Sequence, residues 1–116
     1  MKKFVFTLQT LYDIKLAKEK QLKQRMRAIE SLLEQLRKEL DKLLEEYRCV
    51  KRKYFEEAAQ GAMPERMQDY CGYLARLGDA ATQKRASIRA AVMEREKCLR
   101  EQVELMKEIK SLEKLY

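Results

Sequence analysis

The chain is 116 residues long, carries 26 Lys and Arg against 19 Asp and Glu for a net charge of +7, and contains 3 Gly, 1 Pro and no Asn. Residues that favour turns are too scarce for the many reversals of a β-sandwich or barrel, so the chain reads as almost wholly helical. Its apolar runs are broken throughout by Lys, Arg, Glu or Gln, which suits narrow buried seams better than one thick core.

The opening Met1-Lys2-Lys3-Phe4-Val5-Phe6-Thr7-Leu8-Gln9 turns polar too soon for a signal-peptide core, and no stretch approaches the roughly 18 apolar residues that span a bilayer. A cytoplasmic location is expected. Phe4, Phe6, Leu8 and Leu11 place large apolar groups just after two lysines, a pattern suited to a membrane-surface foot or a partner socket. The plainer reading packs them on Ile109, Leu112, Leu115 and Tyr116.

From Leu22 onward, apolar residues recur at alternating steps of four and three: Leu22, Met26, Ile29, Leu33, Leu36, Leu40, Leu43, Tyr47, Val50, Tyr54. This is a heptad seam and predicts a coiled-coil helix. Traced backwards, the same register meets Glu19 and Lys15 before Tyr12 and Leu8, so the helix continues with a polar seam. Two basic clusters lie on this arm, one of Lys15, Lys18, Lys20, Lys23, Arg25 and Arg27, the other of Arg48, Lys51, Arg52 and Lys53. They suit an acidic protein surface better than nucleic acid, because neither carries a groove-reading helix or a stacking platform, and Glu is interspersed.

Gly61 can end this helix in a left-handed conformation and Pro64 can open the next. The expected organisation is a single coiled-coil domain over 1–116, with arm one at about 4–60, the turn at about 61–64 and arm two at about 65–116. A second heptad series runs Met67, Tyr70, Leu74, Leu77, Ala81, Lys84, Ile88, Ala91, Arg95, Cys98, Gln102, Leu105, Ile109, Leu112, Tyr116. Folding back at the turn buries both seams in an all-α, long antiparallel two-helix coiled coil; an extended dimer buries the same heptads. Each arm is then on the order of 80 Å at ~1.5 Å per residue. Pairing about the turn sets Tyr54 near Tyr70, Leu40 near Lys84, Leu33 near Ala91 and Met26 near Cys98.

Near the turn, Tyr73 stands beside Leu77, Ala80 and Lys84 at helical spacing, while Leu40, Leu43, Leu44 and Tyr47 approach from the first arm. That is more apolar surface than one seam needs, and aromatics rimmed by charge are frequent anchors of protein contacts. Cys49, Cys71 and Cys98 are three widely spaced thiols, and there is no His. A disulfide framework, zinc spacing and His-based acid–base chemistry all lack their residues. With no phosphate loop or nucleophile elbow either, neither an enzyme nor a cofactor is expected.

Lys3-Phe4-x-Phe6-x-Leu8-Gln9-x-Leu11, the Lys- and Glu-rich heptad arm, Tyr70-x-x-Tyr73-Leu74-x-x-Leu77 and the closing Leu112-Glu113-Lys114-Leu115 together resemble the FliJ family of flagellar export proteins along nearly the whole chain. The resemblance implies a component of the flagellar type III export apparatus, similar in fold to the γ-subunit stalk of rotary ATPases. Its implied partners are the hexameric flagellar export ATPase, the membrane-embedded export gate and export chaperones, met from the cytoplasm at the inner face of the membrane at the flagellar base. It implies roles in ATPase ring assembly and in coupling energy to export. Carried onto this chain, Phe4, Phe6, Leu8, Leu11, Lys15, Lys18 and Lys23 would face the ATPase, and Leu40, Leu43, Tyr47, Tyr73, Leu77, Ala80 and Lys84 the export gate. Family members usually continue in a charged helical tail, a departure that bears on the ATPase-facing residues. A virulence secretion stalk of the YscO kind shares this architecture, and a coiled-coil adaptor or RNA-binding hairpin would rest instead on the basic clusters.

Overall fold

The computed structural model describes residues 2–115. It contains two helices, α1 over Lys2–Ala59 and α2 over Pro64–Leu115, and is an all-α coiled-coil hairpin.

The reversal between them is local chemistry. Gly61 sits at φ 78°, a conformation open to glycine because it has no Cβ to clash. Its N–H donates to the Ala58 carbonyl at 3.2 Å and the Ala62 N–H donates to the Glu57 carbonyl at 3.1 Å, the bond pair of a Schellman motif that satisfies the last carbonyls of α1. Pro64 then opens α2, where a missing N–H costs nothing, and the Met67 N–H donates back to the Met63 carbonyl at 3.1 Å. Glu65 in the first turn and Lys114 in the last complement the dipole of α2.

The chain divides into two compact units. In the terminal unit, residues up to Leu32 pack with Ala91 onward, and the seam is built from Leu8, Leu22, Met26 and Ile29 on α1 with Ala91, Cys98, Leu105 and Ile109 on α2, all buried. Cys98 is 0% exposed and its thiol donates to the Leu22 carbonyl at 3.5 Å. A small side chain here lets α2 come within reach of the α1 backbone, which a Leu would prevent. The polar seam expected near the N terminus is present: Tyr12, Lys15 and Glu19 are half-buried.

In the turn unit, Leu33–Ala90, Leu33, Leu36, Leu77 and Ala81 are buried. Towards the turn the seam passes to half-buried Leu40, Leu43, Tyr47, Val50 and Tyr54 on α1 and Tyr70 and Leu74 on α2. The Tyr54 and Tyr70 rings meet edge to face at 6.3 Å, the pairing expected from the register. Lys84, expected opposite Leu40, reaches the neighbouring Glu39.

Candidate functional site

The first turns of α1 carry the apolar segment singled out from the sequence. Leu8 is buried in the seam, but Phe4 is 57% and Phe6 75% exposed, and Leu11 is exposed as well. The Tyr12 phenol donates to Glu113 at 3.2 Å, which puts the last described residues of α2 beside Tyr12 and the turn before it. Phe4 and Phe6 therefore have no helix opposite them among the described residues. Of the residues expected to cover this segment, Ile109 is buried, Leu112 half-buried and Leu115 exposed, and Tyr116 lies outside the described residues; the Lys15–Glu108 bond puts Ile109 nearer Lys15 than Phe4 or Phe6. Thr7 and Thr10 donate back to the Lys3 and Phe6 carbonyls at 2.9 and 3.0 Å, which satisfies hydroxyls on this short polar stretch of the helix.

Half of the first basic cluster, Lys15, Lys23 and Arg25, is paired with glutamates inside the terminal unit. Glu94, Glu101 and Glu108 recur at heptad spacing along one flank of α2. Arg25 pairs with Glu94 and reaches Glu101 at 3.6 Å, and Lys15 bonds Glu108 at 2.6 Å. Lys23 pairs along its own helix with Glu19 at 3.2 Å. Lys18 is exposed and lines a shallow cleft with Arg100, Glu101, Glu104, Leu105 and Glu108. Lys15 holds the Glu108 carboxyl below the usual carboxylate range, and Glu94 holds the Arg25 guanidinium more firmly protonated. Desolvation, then its bond to Glu113, raises the Tyr12 phenol.

In the turn unit the polarity is reversed, with α1 supplying the acids. Glu39, Glu46 and Glu57 share one flank, and α2 answers with Lys84, Tyr73 and Arg66. Arg66 forks onto Glu57 through Nε at 2.9–3.0 Å and Nη2 at 2.7 Å, while lying over the Tyr70 ring at 5.8 Å. The fork holds the Glu57 carboxyl low and the guanidinium high. Lys84, with Gln35, holds Glu39 low. Bonds to Glu57 and Glu46 raise the Tyr70 and Tyr73 phenols respectively.

The residues singled out near the turn fall into two groups. Leu77 is buried, a seam residue whose contribution to any contact is indirect. Leu40, Leu43, Tyr47, Tyr73, Ala80 and Lys84 are half-buried, with Tyr73 donating to Glu46 and its ring beneath Arg76 at 5.8 Å. Glu34 and Lys38 pair along α1 at 3.3 Å, the i,i+4 pairing that spacing within one helix makes visible. The pairing across helices was missed, although Glu94, Glu101 and Glu108 stand at the seven-residue spacing of seam-flanking positions, where interhelical ion pairs set orientation.

Among the described residues there is no cluster of three potential metal ligands, and no helix is long and apolar enough to cross a membrane. The described residues form two helices laced by ion pairs, with Phe4, Phe6 and Phe55 exposed. Residues 4–116 match the family described as Flagellar FliJ protein. No curated protein and no solved structure matches the chain. With the family match covering essentially the whole hairpin, the chain belongs to the FliJ family and is a component of the flagellar export apparatus.

Proposed function

We propose that this chain is the coiled-coil stalk of the flagellar type III export machinery, joining the hexameric export ATPase to the export gate at the inner face of the membrane, with no chemistry of its own. The ATPase-facing surface comprises Phe4, Phe6 and Leu11 with Lys15, Lys18 and Lys23, and Leu8 anchors it from within the seam. The gate-facing surface comprises Leu40, Leu43, Tyr47, Tyr73, Ala80 and Lys84, with Leu77 supporting it from beneath. Export chaperones are further partners of the same machinery.

The observation that carries the reading is the exposure of Phe4 and Phe6 within a chain whose family match begins at residue 4. Two uncovered rings beside cations are a contact waiting for an apolar pocket, because burying a Phe side chain contributes about 1.5–3 kcal/mol. A stalk acts by being bound differently in different nucleotide states of its ring. It then biases which states are populated, and the bias is limited to its difference in affinity among them.

The test is co-purification with the cognate export ATPase, followed by light scattering with and without nucleotide. The expected result is a nucleotide-dependent complex that stimulates hydrolysis, both lost in the double variant Phe4→Ala, Phe6→Ala with helicity retained. Hydrolysis rates equal to wild type in that variant would remove the N-terminal segment from the contact. For the gate, calorimetry on the cytoplasmic domain should show weaker binding by Tyr47→Ala, Tyr73→Ala; unchanged binding would remove that surface.

A further inference from the structure

The two basic clusters of α1 meet different fates. In the first, Lys15, Lys23 and Arg25 are each tied to a glutamate, while Lys18, Lys20 and Arg27 have no carboxylate pair among the described residues. In the second, no carboxylate pairs with Arg48, Lys51 or Arg52 among the described residues. The reason lies in the azimuth of the helix. The α1 acids that answer α2 in this unit, Glu39, Glu46 and Glu57, lie on one flank, whereas Leu44, Arg48, Lys51 and Phe55 follow one another at steps of four, three and four along a different stripe. Leu44 is half-buried at its inner edge. Arg48 and Lys51 are exposed, and Phe55 is 58% exposed with its ring edge-on to Tyr54 at 5.3 Å.

We propose that Leu44, Arg48, Lys51 and Phe55 form a docking stripe for an acidic amphipathic helix of a partner protein. The stripe extends over eleven residue steps, roughly 16 Å or three helical turns at ~1.5 Å per residue, with apolar groups at its two ends and cations between them. That pattern is complementary to a helix carrying apolar residues at heptad spacing flanked by Asp and Glu, so charge sets orientation and the Phe55 ring supplies the anchor. A flat anionic membrane fits less well. Glu45 and Glu56 stand immediately beside the stripe, both exposed, and a plane of phosphates pressed onto Arg48 and Phe55 would meet those carboxylates too. A single helix roughly 10 Å across meets only the stripe. None of these residues belongs to the ATPase-facing or gate-facing sets, so the stripe stands whether or not those assignments do.

The probe is a synthetic fluorescein-labelled helix with Leu at heptad positions and Glu elsewhere, titrated with the full chain by fluorescence anisotropy at low and high salt. A peptide of the same composition in scrambled order, and phosphatidylserine vesicles, serve as controls. The expected result is saturable binding of the ordered peptide alone, weakened by salt. Arg48→Glu, Lys51→Glu should lower affinity about tenfold or more, the loss expected when charges at a contact are reversed. Phe55→Ala should lower it several-fold without changing the salt dependence, and Arg48→Gln, Lys51→Gln should fall between. Circular dichroism of each variant checks that the hairpin is intact, and Lys20→Glu, Arg27→Glu at the other cluster should bind as wild type. Absence of peptide binding, equal binding by the stripe variants, or stripe-dependent binding of vesicles in place of the peptide would each overturn the proposal.

Discussion

Leu33 and Leu32 are neighbours in sequence and opposites in environment, 1% and 51% exposed respectively. Replacing each by Ala applies the same chemical change at two azimuths of one helix. At Leu33 the change removes three buried methyl or methylene groups, about 2.4 kcal/mol at ~0.8 each. A residual cavity raises that to about 3 kcal/mol, in the lower part of the range for such substitutions because a two-helix seam can close partly around the gap. With an unfolding entropy of ~2.1 cal/mol/K per residue, the loss corresponds to a fall in Tm of about 12 °C for a chain of this length. At Leu32 half the side chain already meets water and Ala is the better helix former, so the loss should stay under about 1 kcal/mol. Urea and thermal unfolding followed by circular dichroism at 222 nm, each run at two protein concentrations, give both numbers. Equal losses at the two sites, or a loss at Leu33 below about 1 kcal/mol, would refute the seam register.

Glycine substitutions should split by sign. Gly61→Ala forces a Cβ into the left-handed region and should cost about 1 kcal/mol, whereas Gly72→Ala and Gly78→Ala, helical and with open space around the added Cβ, should each add about 0.5–1 kcal/mol; chemical denaturation reads all three. Because Glu39, Glu57 and Glu108 are held below the ordinary value of 4.5, the unfolded chain binds more protons than the folded one as pH falls from 4.5 through the lowered folded values. Stability contributed above pH 4.5 is lost across that window, and a Tm profile flat below pH 4.5 would contradict the pairing. Tyr12, Tyr70 and Tyr73 are raised above 10.0, so the folded chain keeps protons the unfolded chain has released and Tm should fall as pH rises through 10. Arg25→Glu sets a third carboxylate beside Glu94 and Glu101 and should destabilise the terminal unit more than Arg25→Gln. Adding Glu94→Arg should restore much of the difference, and an additive double variant would deny the contact.

Much of this protein follows from local rules. The scarcity of Gly and Pro, the heptad recurrence from Leu22 to Tyr54 and from Met67 to Leu112, and the turn at Gly61 and Pro64 are each written within a few consecutive residues. The ordered motifs from Phe4 to Leu115 carry the family in the same way. Helix period and turn conformation are properties of neighbouring residues, so they survive without knowledge of what packs where. Even the polar seam at Lys15 and Glu19 was readable by extending the register backwards.

The tertiary structure decided what depends on azimuth and on the alignment of two distant segments. It buried Leu8 and Leu77 while leaving Phe4 and Phe6 open, although all four are large apolar residues in the same kind of pattern. It gave acidic partners on α2 to Lys15 and Arg25 in the terminal unit and acidic partners on α1 to Lys84 and Arg66 in the turn unit, leaving Arg48, Lys51 and Arg52 without a carboxylate pair among the described residues. Composition treats Lys15 and Lys51 alike. A glutamate three or four residues away is visible in sequence, but one from 45 to 93 residues away, like those facing Lys84 and Lys15, becomes a neighbour only when the hairpin closes in one particular register.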